Sequence, residues 1–223
     1  KNFNKVIEGA HKILKKIPKN DYLLNLIGMA YQGRSQHNKA INYFKESLKQ
    51  NPDNIAATNN YANSLKAVGK FEASKELFEK ILKINPGYIN AYNNYANLKT
   101  LYNDYDGAIK LYKNALELLK KNKNISRSSS LGFLFSLAAA YQSNNQVEES
   151  KKVLDEIFSI DQSHTGGHKL LSSIFKYSLE NKRSIDHLNQ MEKIYNTDNL
   201  MIEKKIDISF SLGKAFEDLK NFD

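Results

Sequence analysis

Few residues of this chain combine the type and the spacing that catalysis requires. The sequence contains no cysteine, which excludes disulfides, thiolate nucleophiles and cysteine-ligated zinc. It also lacks the phosphate-binding Gly-x4-Gly-Lys-Ser/Thr loop, the Gly-x-Ser-x-Gly elbow and the His-Glu-x-x-His pair. Gly166 and Gly167 lack the third glycine and the preceding strand of a dinucleotide site. We therefore predict no catalysis and no cofactor in this chain.

His164 and His168 lie four residues apart, a spacing that suits two metal ligands on one helix face. A third ligand is missing from any obvious place in the sequence. Carboxylates stand beside lysines, as in the run from Lys75 to Lys80, which is typical of a solvated helix face rather than of an acid and base pair. The sequence therefore predicts no metal site and favours capping or packing roles for the histidines.

The net charge of the chain raises the question of nucleic acid, because 33 Lys and Arg against 24 Asp and Glu give +9. Only three of the basic residues are arginine, namely Arg34, Arg127 and Arg183, and the lysines are dispersed. Arginine is the residue favoured for bidentate contacts to phosphate and guanine. We therefore expect a solvated, lysine-rich surface and no nucleic-acid partner.

The most apolar stretch of the chain is too short to cross a membrane. It runs from Leu131 to Tyr141 with Ser136 inside it, whereas a bilayer-spanning helix needs about 20 apolar residues. The chain begins at Lys1 without methionine and shows no signal sequence. We expect a cytoplasmic protein with no membrane partner, and a chain that is a fragment or lacks its first residues.

Asparagine supplies the remaining chemistry. The segments 59–63 and 93–97 both read Asn-Asn-Tyr-Ala-Asn. An amide side chain offers a donor and an acceptor together, so it can pair with a peptide backbone group in both directions. A row of asparagines on one surface would hold an extended peptide without regard to its sequence. Because asparagine is abundant throughout this chain, compositional drift is the alternative interpretation.

The elements that position these asparagines recur every 34 residues. The chain has only three prolines, Pro18, Pro52 and Pro86, and both gaps are 34 residues. Small residues recur at places 8 and 20 of this period, and aromatic residues recur at place 24. The repeats begin at Asp21, Ile55 and Ile89, and their shared places hold Gly28, Ala62 and Ala96, then Ala40, Ser74 and Ala108, then Phe44, Phe78 and Tyr112.

Each repeat carries two apolar stripes of helical spacing. Apolar residues fall at places 4, 7, 8 and 11, and again at places 17, 20, 24 and 27. Spacings of three and four make one stripe on each of two helices, so each repeat is predicted to be a helical hairpin. The small residues let the two helices approach closely. Proline at place 32 cannot continue the second helix and marks where the next hairpin begins.

The register shifts twice after residue 122. Eight polar residues, 123–130, precede a repeat that begins at Leu131, and a slip of seven residues precedes a unit that begins at Ile206. The predicted organisation is the second half of a repeat over 1–20, three regular repeats over 21–122, an inserted loop over 123–130, two diverged repeats over 131–198, an insertion over 199–205, and the start of a further repeat or a capping helix over 206–223.

This pattern resembles the tetratricopeptide repeat (TPR) over essentially the whole chain. The usual tryptophan at place 4 is replaced throughout, and the proline at place 32 is missing from the later repeats, so the first three repeats are regular and the last two are diverged. The resemblance implies an all-α fold, a right-handed α-solenoid (superhelix) of TPR helical hairpins, whose first helices line a concave groove. The residues at place 4 are Leu24, Thr58, Tyr92, Leu134 and His168.

Places 2, 5, 9 and 12 of each first helix form the stripe opposite its packing residues. Asn60 and Asn94 flank this stripe and resemble the asparagine ladder in the repeats of the O-linked N-acetylglucosamine transferases. The carboxylate clamp of chaperone-binding repeats fits less well, because Gly132 and Ser136 stand where it needs basic residues. The candidate peptide-binding residues are Tyr22, Asn25, Asn59, Asn60, Asn63, Lys66, Asn90, Asn93, Asn94, Asn97, Phe135, Gln142 and Lys169.

The predicted function is a scaffold that binds a protein or an extended peptide in this groove. The alternative is the non-catalytic N-terminal arm of a larger enzyme. Residues 186–219, with Phe-Ser-Leu-Gly-Lys-Ala-Phe from Phe210 to Phe216, resemble the junction in bacterial proteins that join these repeats to a sulfotransferase domain. That resemblance implies a catalytic domain beyond this chain as an intramolecular partner. Self-association as a homo-oligomer through an exposed repeat end is a third interpretation.

Overall fold

The computed structural model describes residues 2–122 and 126–220. Within these ranges the chain forms twelve α-helices and one short 3-10 helix, and it contains no β-strand. The helices divide into two compact units, Lys1–Asp104 (unit 1) and Tyr105–Asp223 (unit 2). The prediction of an all-α fold is therefore confirmed.

The described part of unit 1 contains six helices. They are α1 Phe3–Leu14, α2 Asp21–Gly33, α3 His37–Gln50, α4 Ile55–Ala67, α5 Phe71–Ile84 and α6 Ile89–Leu101. Each helix packs against the next one in sequence, and the first helices of the hairpins, α2, α4 and α6, also contact one another in order. Asparagine begins two of them: the side chains of Asn20 and Asn54 accept the backbone N–H groups of the first turns of α2 and α4.

The described part of unit 2 contains a further six helices and the 3-10 helix. They are α7 Tyr105–Lys121, the 3-10 helix Arg127–Ser130, α8 Leu131–Ser143, α9 Val147–Ile160, α10 Thr165–Ile174, α11 Lys182–Tyr195 and α12 Ile202–Leu219. Helix α10 packs against α8, α9 and α12, and α11 packs against α12. The predicted loop over 123–130 lies partly outside the described residues, and its last four residues form the 3-10 helix.

Small residues allow the two helices of a hairpin to meet. A Cβ atom on Gly28 would lie 2.5 Å from the ring of Phe44, so only glycine admits this fully buried phenylalanine. In the next hairpin the small residues at places 8 and 20 make a polar contact: the Ser74 hydroxyl donates to the Ala62 carbonyl across 2.8 Å. The residues that the 34-residue period aligns at places 8, 20 and 24 therefore form the core of each hairpin.

The turn between the two helices of a hairpin needs one residue with positive φ. Ser35, Gly69, Asn103 and Asn145 occupy this position, with φ between 57° and 77°. Glycine and asparagine tolerate the left-handed region better than other residues. In the diverged repeat that begins with α10, the corresponding residue is Leu179, which disfavours this conformation.

Helix α10 accordingly ends one turn early. The apolar pattern places Phe175 at place 11 of this helix, but α10 ends at Ile174 and Phe175 is extended. Tyr177 turns into the core, with 2% of its surface exposed, and its backbone N–H donates to the carboxylate of Asp218 on α12. The helical stripe predicted to run through place 11 is therefore interrupted in this repeat, because burial of Tyr177 replaces the usual helical turn.

The second helices end where an Asx turn forms. The side-chain oxygens of Asn51, Asn85 and Asp161 each accept the backbone N–H two residues later, directly after α3, α5 and α9. Leu119 stands at this place in α7, which continues to 17 residues, against 14 for α3. An Asx turn at place 31 therefore coincides with the end of α3, α5 and α9, whereas α7, which has leucine at this place, is longer.

The last helix begins earlier than the sequence register places it. Helix α12 begins at Ile202, whereas the predicted insertion extends to residue 205. Asn199 has a φ of 59°, and the residues after it include Glu203 and two lysines, which favour a helix. Nothing between Ile202 and residue 206 breaks a helix, so α12 extends upstream.

In both units the helices form successive hairpins, which is the architecture of an α-solenoid of helical hairpins. None of the described helices is at once long enough and apolar enough to cross a lipid bilayer.

Candidate functional site

The stripe opposite the packing residues of the first helices in unit 1 is the main candidate site. Because α2, α4 and α6 lie side by side, their residues at places 2, 5, 9 and 12 share one surface. We call this surface the amide face. It comprises Tyr22, Asn25, Met29, Gln32, Ala56, Asn59, Asn63, Lys66, Asn90, Asn93, Asn97 and Thr100.

Two amide pairs join neighbouring helices along the amide face. The Nδ2 atom of Asn60 donates to Oδ1 of Asn25 across 3.2 Å, and Nδ2 of Asn94 donates to Oδ1 of Asn59 across 3.0 Å. The acceptors Asn25 and Asn59 are buried, with 8% and 5% of their surfaces exposed. Since a buried amide must be hydrogen-bonded, these four residues hold successive repeats in register.

Gln32 makes a similar link at the C-terminal end of α2. Its Nε2 atom donates to the Ser64 hydroxyl across 3.1 Å and to the Asn60 carbonyl across 3.4 Å. A side chain at place 12 of one first helix therefore reaches places 6 and 10 of the next.

Other amides of this face have no such role. Asn63 and Asn93 are half-buried and, within the part of the chain that the structure describes, have no hydrogen-bond partner. Asn97 interacts elsewhere in the protein. Tyr22, which is 68% exposed, and Asn90 are open to solvent. Asn63 and Asn93 are therefore the amides best placed to bond a ligand.

A lysine closes the C-terminal end of the amide face. Lys66 lies in the last turn of α4 and is half-buried. Burial lowers the pKa of its ammonium group, and no carboxylate contributes to that shift.

The first helices of unit 2 carry a different surface. Helices α8, α10 and α12 pack side by side and enclose an open pocket of about 450 Å³, which we call the apolar pocket. The ring of Phe135 packs against α10 at Gly166, where a Cβ atom would lie 3.4 Å from it, in ordinary van der Waals contact. The pocket is lined by Phe135, Gly166, Lys169, Leu170, Ser173, Asp207 and Phe210.

Polar groups border the apolar pocket. The Lys169 ammonium lies 2.8 Å from a carboxylate oxygen of Asp207 and 5.5 Å from the centre of the Phe210 ring. The Nε2 atom of Gln142 donates to the Ser173 hydroxyl across 2.9 Å. Of the predicted groove residues in this unit, Phe135 and Lys169 thus line the pocket, and Gln142 contacts its edge.

The two histidines singled out by their spacing have structural contacts. Nδ1 of His164 accepts the Gly167 backbone N–H across 2.9 Å, which confirms a capping role, and His168 is fully buried. Among residues 2–122 and 126–220, no three His, Cys, Asp or Glu side chains lie in a group that could hold a metal ion.

His168 belongs to a buried polar chain in unit 2, which we call the histidine-tyrosine chain. Its Nδ1 lies 2.8 Å from Nε2 of His187, whose Nδ1 lies 2.7 Å from the Tyr177 hydroxyl. The Tyr177 hydroxyl lies 2.9 Å from the Ser172 hydroxyl. At the other end, Nε2 of His168 lies 2.8 Å from the carbonyl of Gln162.

The positions of the hydrogens in the histidine-tyrosine chain follow from the Gln162 carbonyl at one end of it. A carbonyl only accepts, so Nε2 of His168 donates to Gln162 and its Nδ1 accepts when the ring is neutral. Nε2 of His187 must then donate, and its Nδ1 accepts from the Tyr177 hydroxyl. The Tyr177 oxygen in turn accepts from Ser172. Every member is satisfied with both imidazoles uncharged.

Burial favours the same uncharged state. It lowers the pKa of His187 to about 3, helped by the neighbouring His168, and it lowers the pKa of His168. It also raises the pKa of Tyr177 to about 12. The histidine-tyrosine chain is therefore a neutral, closed network that ties α10 to α11.

The spacing of residues in the sequence draws attention to His168 but does not indicate Tyr177 and His187 as its partners. They lie 9 and 19 residues after it, outside any helical period. The available signal was the imidazole at place 4, a packing place where the other repeats carry Leu24, Thr58, Tyr92 or Leu134. A histidine in a packing position requires buried hydrogen-bond partners.

Comparison with protein families supports the repeat assignment for the regular part of the chain. Residues 32–101 match the model of the family described as tetratricopeptide repeat. This segment includes α4, α5 and α6, and residues of α4 and α6 form most of the amide face. No curated protein matches the chain.

Solved structures extend the likeness beyond that segment. Yeast Tom70 is 22% identical, with a TM-score of 0.72 over 95% of this chain and 43% of its own. A tetratricopeptide repeat protein from Parabacteroides merdae is 14% identical, with a TM-score of 0.65 over 94% of this chain and 78% of its own. MamA from Desulfovibrio magneticus is 15% identical, with a TM-score of 0.61 over 78% of this chain and 92% of its own. At these identities the likeness concerns the fold, which is that of a tetratricopeptide repeat protein.

Proposed function

We propose that the chain is a TPR scaffold that binds an extended protein segment on its first-helix surfaces, without catalysis of its own. The observation that carries this proposal is that some asparagines of this surface are hydrogen-bonded within the protein and others are not. Asn25, Asn59, Asn60 and Asn94 bond to one another, whereas Asn63 and Asn93 do not use their hydrogen-bonding capacity within the described residues.

An extended peptide has the chemistry that these two amides match. The backbone N–H and C=O groups of an extended peptide are not paired within a helix or a sheet. Each amide side chain can therefore pair with one N–H group and one C=O group of the peptide. Half-burial keeps Asn63 and Asn93 from making all their hydrogen bonds to water, so a peptide that pairs with them gains more than one that meets a freely exposed amide.

The apolar pocket of unit 2 supplies a second binding element. Phe210 is 57% exposed and lies beside the half-buried Phe135, an arrangement typical of a site that accepts an apolar side chain. Burial of such a side chain contributes about 1.5–3 kcal/mol to binding, whereas the bordering ion pair of Lys169 and Asp207 contributes about 1 kcal/mol or less.

Selection from a displayed dodecapeptide library tests the proposal, followed by affinity measurements on a synthetic peptide of a selected sequence. Each lost amide bond costs about 1 kcal/mol, so the double change Asn63→Ala and Asn93→Ala should weaken binding about 30-fold. Asn42→Ala, at an exposed asparagine on the second helix α3, is the matched control and should leave affinity unchanged. Equal affinity for the double variant and the wild type would overturn the proposal.

A second candidate function is the non-catalytic arm of a sulfotransferase. Its support is the Phe-Ser-Leu-Gly-Lys-Ala-Phe segment in α12, where Gly213 lies mid-helix with open space around the position of a side chain. Glycine in a helix interior costs about 1 kcal/mol relative to alanine, so its presence suits close approach of another segment. The sequence of the complete gene decides this candidate, which requires a phosphate-binding loop of a sulfuryl-transfer domain downstream.

Self-association is a third candidate. Ile202, Ile206 and Phe210 are spaced four residues apart on α12 and are 57–72% exposed. Burial of this stripe between two copies would stabilise a dimer. The mass in solution at two concentrations, for the wild type and for Ile206→Lys, tests this candidate, which predicts a dimer only for the wild type.

A further inference from the structure

Lys66 is the residue of the amide face best suited to bind a negatively charged group of a ligand. A lysine ordinarily extends its ammonium group into water. Lys66 is instead half-buried, and burial alone accounts for the lowering of its pKa. Within the described residues it forms no ion pair and no hydrogen bond.

The contacts of the residue at the same place in the preceding repeat help to locate Lys66. Gln32 stands at the same place, one repeat earlier, and reaches Ser64 and the Asn60 carbonyl on the next helix. One repeat later, the residues of α6 that correspond to Ser64 and Asn60 are Leu98 and Asn94. Lys66 therefore belongs to the amide face by its place in the repeat, as Gln32 does, and its partial burial shows that it packs against the protein.

The surroundings of Lys66 contain almost no competing carboxylate. Helices α4 and α6 have no Asp or Glu, and the single acidic residue of α2 is Asp21, at the opposite end of the helix. Asp21 accepts hydrogen bonds from Asn51 and Asn54. The lysine of α6, Lys99, lies outside the amide face and is paired with Asp104.

Acidic residues of unit 1 are concentrated on the second helices instead. The helices α3 and α5 carry Glu46, Glu72, Glu76 and Glu79, and two of these form ion pairs with neighbouring lysines. The first-helix surface thus combines unused amides with one unpaired cation and presents no carboxylate around it that would repel an anion.

We propose that Lys66 receives the carboxylate of an acidic side chain in an extended peptide held by Asn63 and Asn93. This inference rests on the proposed function, and it adds the chemistry that distinguishes one peptide from another. The amides bond to the backbone, which every peptide has, whereas the lysine selects an aspartate or a glutamate at one position. Partial desolvation strengthens the attraction relative to a fully exposed pair.

A peptide suits this surface better than a nucleic acid does. Single-stranded nucleic acid requires bases stacked on aromatic side chains and several phosphate contacts. The central part of the amide face offers asparagines and one cation, and it contains no arginine.

The test is selection of dodecapeptides from a displayed library on the full chain, in parallel with two variants. Lys66→Met removes the charge and retains the length of the stem. Lys45→Met, at an exposed lysine on α3, changes the net charge of the protein equally and serves as the matched control. We expect peptides selected on the wild type and on Lys45→Met to share an Asp or Glu at one position, and peptides selected on Lys66→Met to lack it.

A synthetic peptide from the wild-type selection then gives the size of the effect. Replacement of its conserved acid by the matching amide should weaken binding to the wild type about fivefold, with no effect on binding to Lys66→Met. The fivefold difference should shrink in 1 M salt, because screening weakens the pair.

Each outcome has a distinct meaning. Selected peptides without an acidic position, or with the same acidic position on Lys66→Met, overturn the role of Lys66 and leave the peptide groove standing. Failure to select any peptide overturns both proposals. Binding of an oligo-dT strand that depends on Lys66 would replace the acidic peptide with a phosphate ligand and so contradict the inference.

Discussion

The two units use buried polar side chains in opposite ways. In unit 1 the pairs of Asn25 with Asn60 and of Asn59 with Asn94 recur at the same separation of 35 residues and share no atom. In unit 2 the histidine-tyrosine chain links Gln162, His168, His187, Tyr177 and Ser172 in one continuous series. Unit 1 therefore distributes its polar contacts over independent repeats, whereas unit 2 concentrates them in a single hairpin.

The difference predicts how loss of one residue propagates. Removal of an asparagine from a pair leaves one half-buried or buried amide without its partner. Removal of a side chain from within the histidine-tyrosine chain deprives the groups on both sides of it of a hydrogen-bond partner. The regular repeats should tolerate substitutions locally, and the diverged repeat should respond as one cooperative element.

The largest effect is expected from His187→Ala. This change leaves Nδ1 of His168 without a donor and the Tyr177 hydroxyl without an acceptor in the core, and it opens a cavity, at a cost of about 3–4 kcal/mol in free energy of unfolding. Denaturant titration followed by hydrogen exchange of α10 and α11 measures it. The control is His11→Ala, because His11 makes a single, partly buried contact to Tyr43 in unit 1. A cost below about 1 kcal/mol for both changes would remove the contrast between the units.

Acid should weaken unit 2 through the same residue. The folded-state pKa of His187 is about 3, below the ordinary value of 6.5, so between these pH values the unfolded chain binds a proton that the folded chain does not. Stability is therefore complete above about pH 6.5 and falls as the pH falls, by about 2 kcal/mol at pH 5 from this histidine alone. Protection factors of α10 and α11 at pH 7 and pH 5 report the loss. An imidazole resonance of His187 that titrates near pH 6.5 in the folded protein would contradict this expectation.

The amide pairs of unit 1 should give smaller and additive effects. Asn60→Ala leaves the buried Oδ1 of Asn25 without its donor, and Asn94→Ala does the same to Asn59, at about 1 kcal/mol each. Because the two pairs share no atom, the double variant should lose the sum of the two values within about 0.5 kcal/mol. Denaturant titration of the three variants measures this, and a large coupling energy would show that unit 1 also behaves as a connected network.

The smallest effect is expected where an asparagine of the amide face has no partner. Asn63→Ala and Asn93→Ala should each change the free energy of unfolding by less than about 0.5 kcal/mol, because no intramolecular bond is lost within the described chain. The melting temperature of each variant provides the comparison with Asn60→Ala. A loss as large as that of Asn60→Ala would assign Asn63 and Asn93 to the structural set and leave the amide face without free amides.

Much of the fold was predictable because its causes are local and periodic. The helix starts at Asp21, Ile55, Ile89, Leu131 and Thr165 coincide with the 34-residue register and with its first shift. Spacings of three and four determine which face of a helix is apolar, and small residues at fixed places determine where helices can approach. These properties depend on residues within one hairpin, so they can be derived without the rest of the chain.

The candidate site was predictable only in part. Place in the repeat locates an asparagine on the first-helix surface, as it does for both Asn59 and Asn63. Whether that asparagine is free to bind a ligand depends on the side chains of the next repeat. Asn94 donates a hydrogen bond to Asn59, whereas within the described residues Asn63 has no partner. Position is a property of one helix, whereas hydrogen-bond satisfaction is a property of two.

The sequence by itself thus determined the repeat length, the hairpins and the surface on which the asparagines lie, since periodicity and backbone preference act over short distances. Only the tertiary structure decided that α10 ends at Ile174, that Tyr177 enters the core, and that His168 and His187 share one hydrogen-bonded chain. The leucine at position 179 disfavours the usual turn, but the conformation that replaces it depends on burial of a tyrosine and on the carboxylate of Asp218 from α12. The reason is physical: buried polar groups must find partners wherever the packing brings them together, and that choice is made between elements far apart in the sequence.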